Sequence, residues 1–185
     1  MLPDRLKLVT GLLAAVAIAG IVHILVILTV PQNVSHSAYA TLADFGPDLA
    51  FNLLPDVTPG SEPLPALDPA MKHAACRFQL DQGPVKFTAS IPAPFWSIGL
   101  FNASGETVYS LNNRTAGSET LSMLVLTPQQ LSILRENPPE DLEDLIVIET
   151  DTLEGFALLR AFVPDPSLNG LITDALSTAN CGELV

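Results

Sequence analysis

Residues 84–111, PVKFTASIPAPFWSIGLFNASGETVYSL, decide the fold class. From Pro84 to Pro92, Val85, Phe87, Ala89 and Ile91 alternate with Lys86, Thr88 and Ser90, the period of two that a half-buried strand requires. The next stretch, Phe95 to Asn102, alternates in its middle. Asn102-Ala103-Ser104-Gly105 then supplies a turn and Glu106 to Leu111 returns, so this part of the chain reads as an antiparallel meander.

Two short apolar runs further on, Leu121 to Leu126 and Leu145 to Ile148, suit buried strands. Between them Thr127 caps a helix that Pro128 starts and Asn137-Pro138-Pro139 ends. A last strand covers Phe156 to Val163. Asp165-Pro166 opens a final helix with Leu168, Leu171, Ile172, Ala175, Leu176 and Ala179 on one face, and Cys181 and Gly182 mark its end. On the other side of the opening stretch, Asp68-Pro69 is expected to cap a short helix reaching Cys76, one that includes His73. The expected fold is α+β: a mostly antiparallel, curved sheet over residues 69–185, covered by two or three helices.

Upstream, residues 31–68 form a proline-rich linker. Pro47, Pro55, Pro59, Pro63 and Pro65 block regular helix, while Leu42, Phe45, Leu49, Phe51, Leu53 and Leu54 are too apolar for a solvated tether and are expected to dock on the domain. Residues 8–30 are an uncharged apolar run. Its 23 residues would rise about 35 Å as a helix, enough to span the hydrocarbon core of a bilayer. Arg5 and Lys7 precede it and no basic residue follows before Met71, so residues 1–7 are expected in the cytoplasm and the rest across the membrane. The run outlasts a cleavable signal's apolar core and ends well before the small-residue site Ala38-Tyr39-Ala40, which favours an uncleaved signal-anchor in a bacterial inner membrane with a periplasmic domain. Within it Gly11, Ala15, Ala19 and His23 recur every four residues, which reads either as a monomeric anchor with a neutral imidazole near the outer interface or as a stripe on which a second helix packs.

Past Val30 the chain has 19 acidic and 6 basic residues. That excludes nucleic acid as a partner, for want of a basic surface to hold a phosphate backbone. The two cysteines, Cys76 and Cys181, both fall on the far side of the membrane, where disulfides persist, and are expected to pair.

The stretch from Gly83 to Gly117 resembles the core of the domain-of-unknown-function 1254 family. The matching features are a strand ending at Ile91-Pro92, an aromatic-led strand at Phe95-Trp96-Ser97, the turn Asn102-Ala103-Ser104-Gly105 and the ending Arg114-Thr115-Ala116-Gly117. The resemblance implies no activity, cofactor or catalytic residue. Because longer family members carry a second domain of unknown function, the 1214 type, it does imply a complementary domain on a separate protein.

Candidate sites follow from residue type. Arg114, after Asn112-Asn113 and in a segment with Trp96 and Tyr109, could bind a small anionic or carbohydrate-like ligand, or else pair with a carboxylate while Trp96 fills the core. Arg160 shares a strand face with Phe156, Leu158 and Phe162, so it needs either a buried ion-pair partner or a ligand. The carboxylates of 136–144 lack the spacing of a calcium loop and read as a solvated turn. No nucleophile elbow, phosphate loop or paired metal-ligand spacing is present, so the sequence points to no catalytic residue, metal or cofactor. The expected role is a membrane-anchored binding or assembly module, working with another envelope protein or a second copy of itself. The alternative is an envelope enzyme or small-ligand receptor with a pocket near Arg114.

Overall fold

The computed structural model describes residues 3–33, 37–136, 138 and 145–184. The acidic turn expected over 136–144 lies outside them except for Glu136 and Pro138, as does His36. The chain divides into two compact units, Met1–His36 and Ser37–Val185. The first is helix α1 (Asp4–Asn33), whose stretch Arg5–Thr29 is long and apolar enough to cross a membrane.

Among the described residues of the second unit, nine strands form two sheets. The first sheet has the order β1 (Asn52–Leu53), β2 (Met71–Gln79), β8 (Glu154–Phe162), β4 (Trp96–Asn102), β5 (Thr107–Asn112). The second has the order β7 (Ile146–Glu149), β6 (Thr120–Leu126), β3 (Val85–Ser90), β9 (Asn180–Glu183). Every pairing is antiparallel except β6 with β7, which the intervening helix α4 (Pro128–Glu136) makes parallel. The α+β class with mostly antiparallel pairing therefore holds, with the strands shared between two sheets.

The alternation read at Val85, Phe87 and Ala89 points these side chains into the space between the sheets. There they meet Ala74, Cys76 and Phe78 of β2, Trp96, Ile98 and Leu100 of β4, and Ala157, Leu159 and Ala161 of β8. Helix α5 (Asn169–Ser177) adds Ile172 and Leu176 to this core. A second apolar layer covers the outer face of the first sheet: Leu42, Leu54, Val57, Leu64 and Leu67 pack on Ala75, Phe156 and Leu158. The sticky residues of the proline-rich segment thus lie on the domain, led in by the short helix α2 (Ala38–Leu42). A third cluster sets Leu131 and Leu134 of α4 against Leu124 and Leu126 of β6.

Four expectations are corrected. Residues 69–76 are not helical, because Asp68 turns the chain by accepting a hydrogen bond from the Ala70 N–H at 2.8 Å and the strand β2 begins at Met71. Both faces of β2 are covered, so its sequence shows no alternation. The strands β3 and β4 are not hairpin partners and belong to different sheets; Pro92 and Pro94 lack the N–H groups that a continuing ladder would use. Cys181 and Gly182 do not end the last helix, which stops at Ser177, but sit in the edge strand β9. Cys76 and Cys181 do pair, with Cα atoms 6.5 Å apart across 105 residues of sequence, but the bond ties β2 of one sheet to β9 of the other rather than helix to helix.

Candidate functional site

Directly opposed residues in neighbouring strands share a face, with Cβ atoms about 5 Å apart. On the outer face of the first sheet, β2, β8 and β4 therefore lay down successive rows: Arg77–Phe156–Phe101, then Ala75–Leu158–Gly99, then His73–Arg160–Ser97. The first two rows are apolar at their centre, and Phe101 and Phe156 stack with ring centroids 4.9 Å apart. Arg77 is neutralised: its guanidinium donates to Asp48 at 2.9 Å and lies 4.6 Å above the Tyr39 ring. The apolar cover from residues 42–67 lies on Ala75, Leu158 and Phe156. Accessible surface returns in the third row, at Arg160 and Ser97.

That third row holds a buried imidazole beside a half-buried guanidinium. His73 is 2% exposed, and neither its Nε2 nor the Arg160 Nε has a hydrogen-bond partner among the described residues. Burial, reinforced by the positive charge of Arg160 and opposed by Asp68, brings the His73 pKa down to about 4. At neutral pH the ring is uncharged, with one N–H and one bare nitrogen. Burial also pulls Arg160 below the ordinary arginine range, though a guanidinium keeps its proton at any physiological pH. Gly99 makes room for the Phe101 ring, from which a methyl group there would sit 2.8 Å, while an Arg160 guanidinium nitrogen lies at an ordinary contact distance of 3.4 Å from the same point.

The buried ion pair that was one of the two ways to satisfy Arg160 is not found. Lys72 pairs with Asp56 and Arg77 with Asp48, and Arg160 has no carboxylate partner among the described residues. What the row offers is one positive charge with neutral donors on either side, a chemistry complementary to an anion.

The residues around Arg114 are placed differently. Asn112 ends β5 and caps the single helical turn α3 (Asn113–Ala116), its side-chain oxygen accepting from the N–H groups of Arg114 and Thr115 at 3.0 and 3.1 Å. Gly117, at φ 66°, closes the turn. Arg114 is exposed on it. Trp96 is fully buried in the core between the sheets, and Tyr109 packs against the same core from β5, so the aromatics do not stand around the guanidinium. On α1, Gly11, Ala15, Ala19 and His23 are all exposed within their unit.

Elsewhere, a groove of about 730 Å³ near β3 and β6 has the hydroxyls of Thr88, Ser90, Ser118, Thr120, Ser122 and Thr178 in its lining and no charged side chain. Among the described residues no group of three His, Cys, Asp or Glu side chains could hold a metal ion.

Sequence reasoning found Arg160 from a charge on an apolar strand face. It missed His73, Ser97 and Gly99, since reading a helix over 69–76 hid the register that sets His73 beside Arg160.

Comparison with known proteins places the fold in a known group. The family model for a protein of unknown function, DUF1254, matches residues 56–175. No curated protein matches the chain. The crystal structure of the VPA0106 protein from Vibrio parahaemolyticus is similar with a TM-score of 0.60 at 12% identity, over 79% of this chain and 33% of that one, a likeness of fold. An uncharacterised protein from Burkholderia cenocepacia aligns with a TM-score of 0.39 at 13% identity, over 55% of this chain and 29% of that one. The chain spans about a third of the length of the chains it resembles.

Proposed function

The chain belongs to the DUF1254 family of proteins of unknown function, and from that premise we propose that it is a single-pass, membrane-anchored binding or assembly module with its folded domain in the bacterial periplasm. The observation that carries the binding role is Arg160, a half-buried guanidinium with no carboxylate partner among the described residues, set beside a neutral, unpartnered His73. In a chain with 20 acidic and 8 basic residues, carboxylates are plentiful, so a half-buried cation with none beside it among the described residues supports a ligand in that place.

The location has two supports. Arg5–Thr29 is long and apolar enough to serve as an anchor, with basic residues ahead of it that favour a cytoplasmic N-terminus. The Cys76–Cys181 bond suits an oxidising compartment. The stripe of Gly11, Ala15, Ala19 and His23 would let the anchor pack against the helix of another envelope protein or of a second copy. A receptor centred on Arg114 has less support, since Trp96 is in the core.

The test is crosslinking of intact cells, followed by purification of the full-length chain from detergent-solubilised membranes and mass spectrometry of the intact protein before and after reduction. The expected result is a chain that retains residues 8–30, weighs two hydrogens less before reduction, and brings down a partner or a second copy. A mass beginning after Ala40 would remove the anchor from the proposal, and a chain that crosslinks to nothing would remove the assembly role.

A further inference from the structure

The row His73–Arg160–Ser97 also limits what kind of anion it can take. Three observations bear on the choice. The first is charge. Arg160 is the one cation of its row, the nearest on the same face is Arg77 two rows away, and that residue is paired with Asp48. Lys72, next to His73 in β2, faces the opposite side of the strand and is paired with Asp56. A single positive charge, with the Asp68 carboxylate close enough to act on His73, balances at most a monoanion and leaves a dianionic phosphate poorly neutralised.

The second is geometry. A guanidinium presents parallel N–H groups that match the two oxygens of a carboxylate. Strand β8 is the middle strand of its sheet, so neighbours cover its backbone on both sides; the accessible part of Arg160 is then the end of its side chain. One guanidinium nitrogen of that end lies beside Gly99. The third is the set of neutral partners. An imidazole kept uncharged can donate one hydrogen bond without adding charge, and the Ser97 hydroxyl on the other flank can donate another.

We propose that His73, Arg160 and Ser97 form a recognition site for the carboxylate group of a small monoanionic molecule, with Arg160 supplying the charge and fork and His73 and Ser97 the flanking donors. The assignment rests on the binding role proposed above and adds the ligand's chemical class. Filling the site satisfies the Arg160 charge. The empty domain is consequently less stable than it would be with an apolar residue at position 160, because a half-buried charge without a partner opposes folding.

The experiment is thermal unfolding of the purified full-length protein in non-ionic detergent, titrated with sodium acetate, sodium phosphate or sodium chloride at matched ionic strength. It is run for the wild type, Arg160→Met and His73→Gln. For the wild type, acetate is expected to raise Tm in a saturating manner beyond chloride, as binding to the native state must, and phosphate to do so less. Arg160→Met should lose the acetate response and melt at a higher temperature than the unliganded wild type; His73→Gln, which keeps a neutral donor, should retain a weaker response.

A response to phosphate but not acetate overturns the carboxylate assignment and leaves the binding role standing. No anion response beyond chloride overturns both. An acetate response that survives Arg160→Met overturns the site, since the ion would then be bound elsewhere, and a Tm lowered by Arg160→Met gives the arginine a structural task instead.

Discussion

At the scale of single residues, His73 makes the stability of the domain depend on pH in one direction. In the unfolded chain its imidazole takes up a proton as pH falls through about 6.5, whereas in the folded protein it stays neutral down to about 4. Between those values the unfolded state binds more protons, so the contribution of His73 is complete above pH 6.5 and is lost as pH falls towards 4. The full loss is on the order of 3 kcal/mol. Urea unfolding of the wild type and His73→Gln at pH 7, 6, 5 and 4 should show the wild type losing this much more than the variant. Identical pH curves would mean that the ring titrates normally in the fold. Since the Arg160 charge contributes to the depression, Arg160→Met should raise the His73 pKa, read from the ring proton shifts in NMR. Arg160 was legible in the sequence because a charge breaks an apolar face. His73 was not, because its importance comes from a cross-strand neighbour 87 positions away, a relation that no local pattern contains.

Among the elements, strands with one covered face announced themselves by alternation, as β3 did with Val85, Phe87 and Ala89. Strands covered on both faces did not: β2 was read as a helix from the Asp68-Pro69 signal, and which sheet each strand joined was invisible because the two prolines after Ile91 that end one ladder look like those of any turn. Helix α4 was read correctly since its start is written in adjacent residues. Thr127 accepts from the Gln130 N–H at 3.3 Å, the Gln130 side chain accepts from the Thr127 N–H at 2.9 Å, and its amide reaches Leu80 O. Thr127→Ala should lower stability by about 1 kcal/mol in chemical denaturation. Two glycines of the first sheet should behave unequally. A Cβ at Gly155 would lie 2.3 Å from the Phe101 carbonyl oxygen, whereas at Gly99 the first obstacle is the Phe101 ring, 2.8 Å away and a side chain that gives more readily than backbone. Gly155→Ala is therefore expected to cost more than Gly99→Ala, each within or above the roughly 1–3 kcal/mol of an overpacked core. Equal urea midpoints would refute that ordering.

For the whole molecule, the layer formed by residues 42–67 marks where the domain begins. A chain starting at Ser37 should fold as a monomer, whereas one starting at Asp68 uncovers Ala75, Phe156 and Leu158 and should aggregate, which light scattering and thermal unfolding would distinguish. The bond from Cys76 to Cys181 closes a loop of 105 residues, so Cys76→Ala with Cys181→Ala should lose about 4–5 kcal/mol in the chain-entropy model; a urea midpoint unchanged by both substitutions would show that the two sheets hold together without it. The same bond sets a timetable for biogenesis. If the chain crosses the membrane behind its N-terminal helix, Cys76 emerges long before its partner, and β8, the middle strand of the first sheet, follows 75 residues after the end of β2. The first sheet is complete once β8 has emerged, but the second cannot be finished while β9 (Asn180–Glu183) is still inside the translocation channel. Closure of the second sheet is then the last step, and the oxidase that joins Cys76 to Cys181 acts with it.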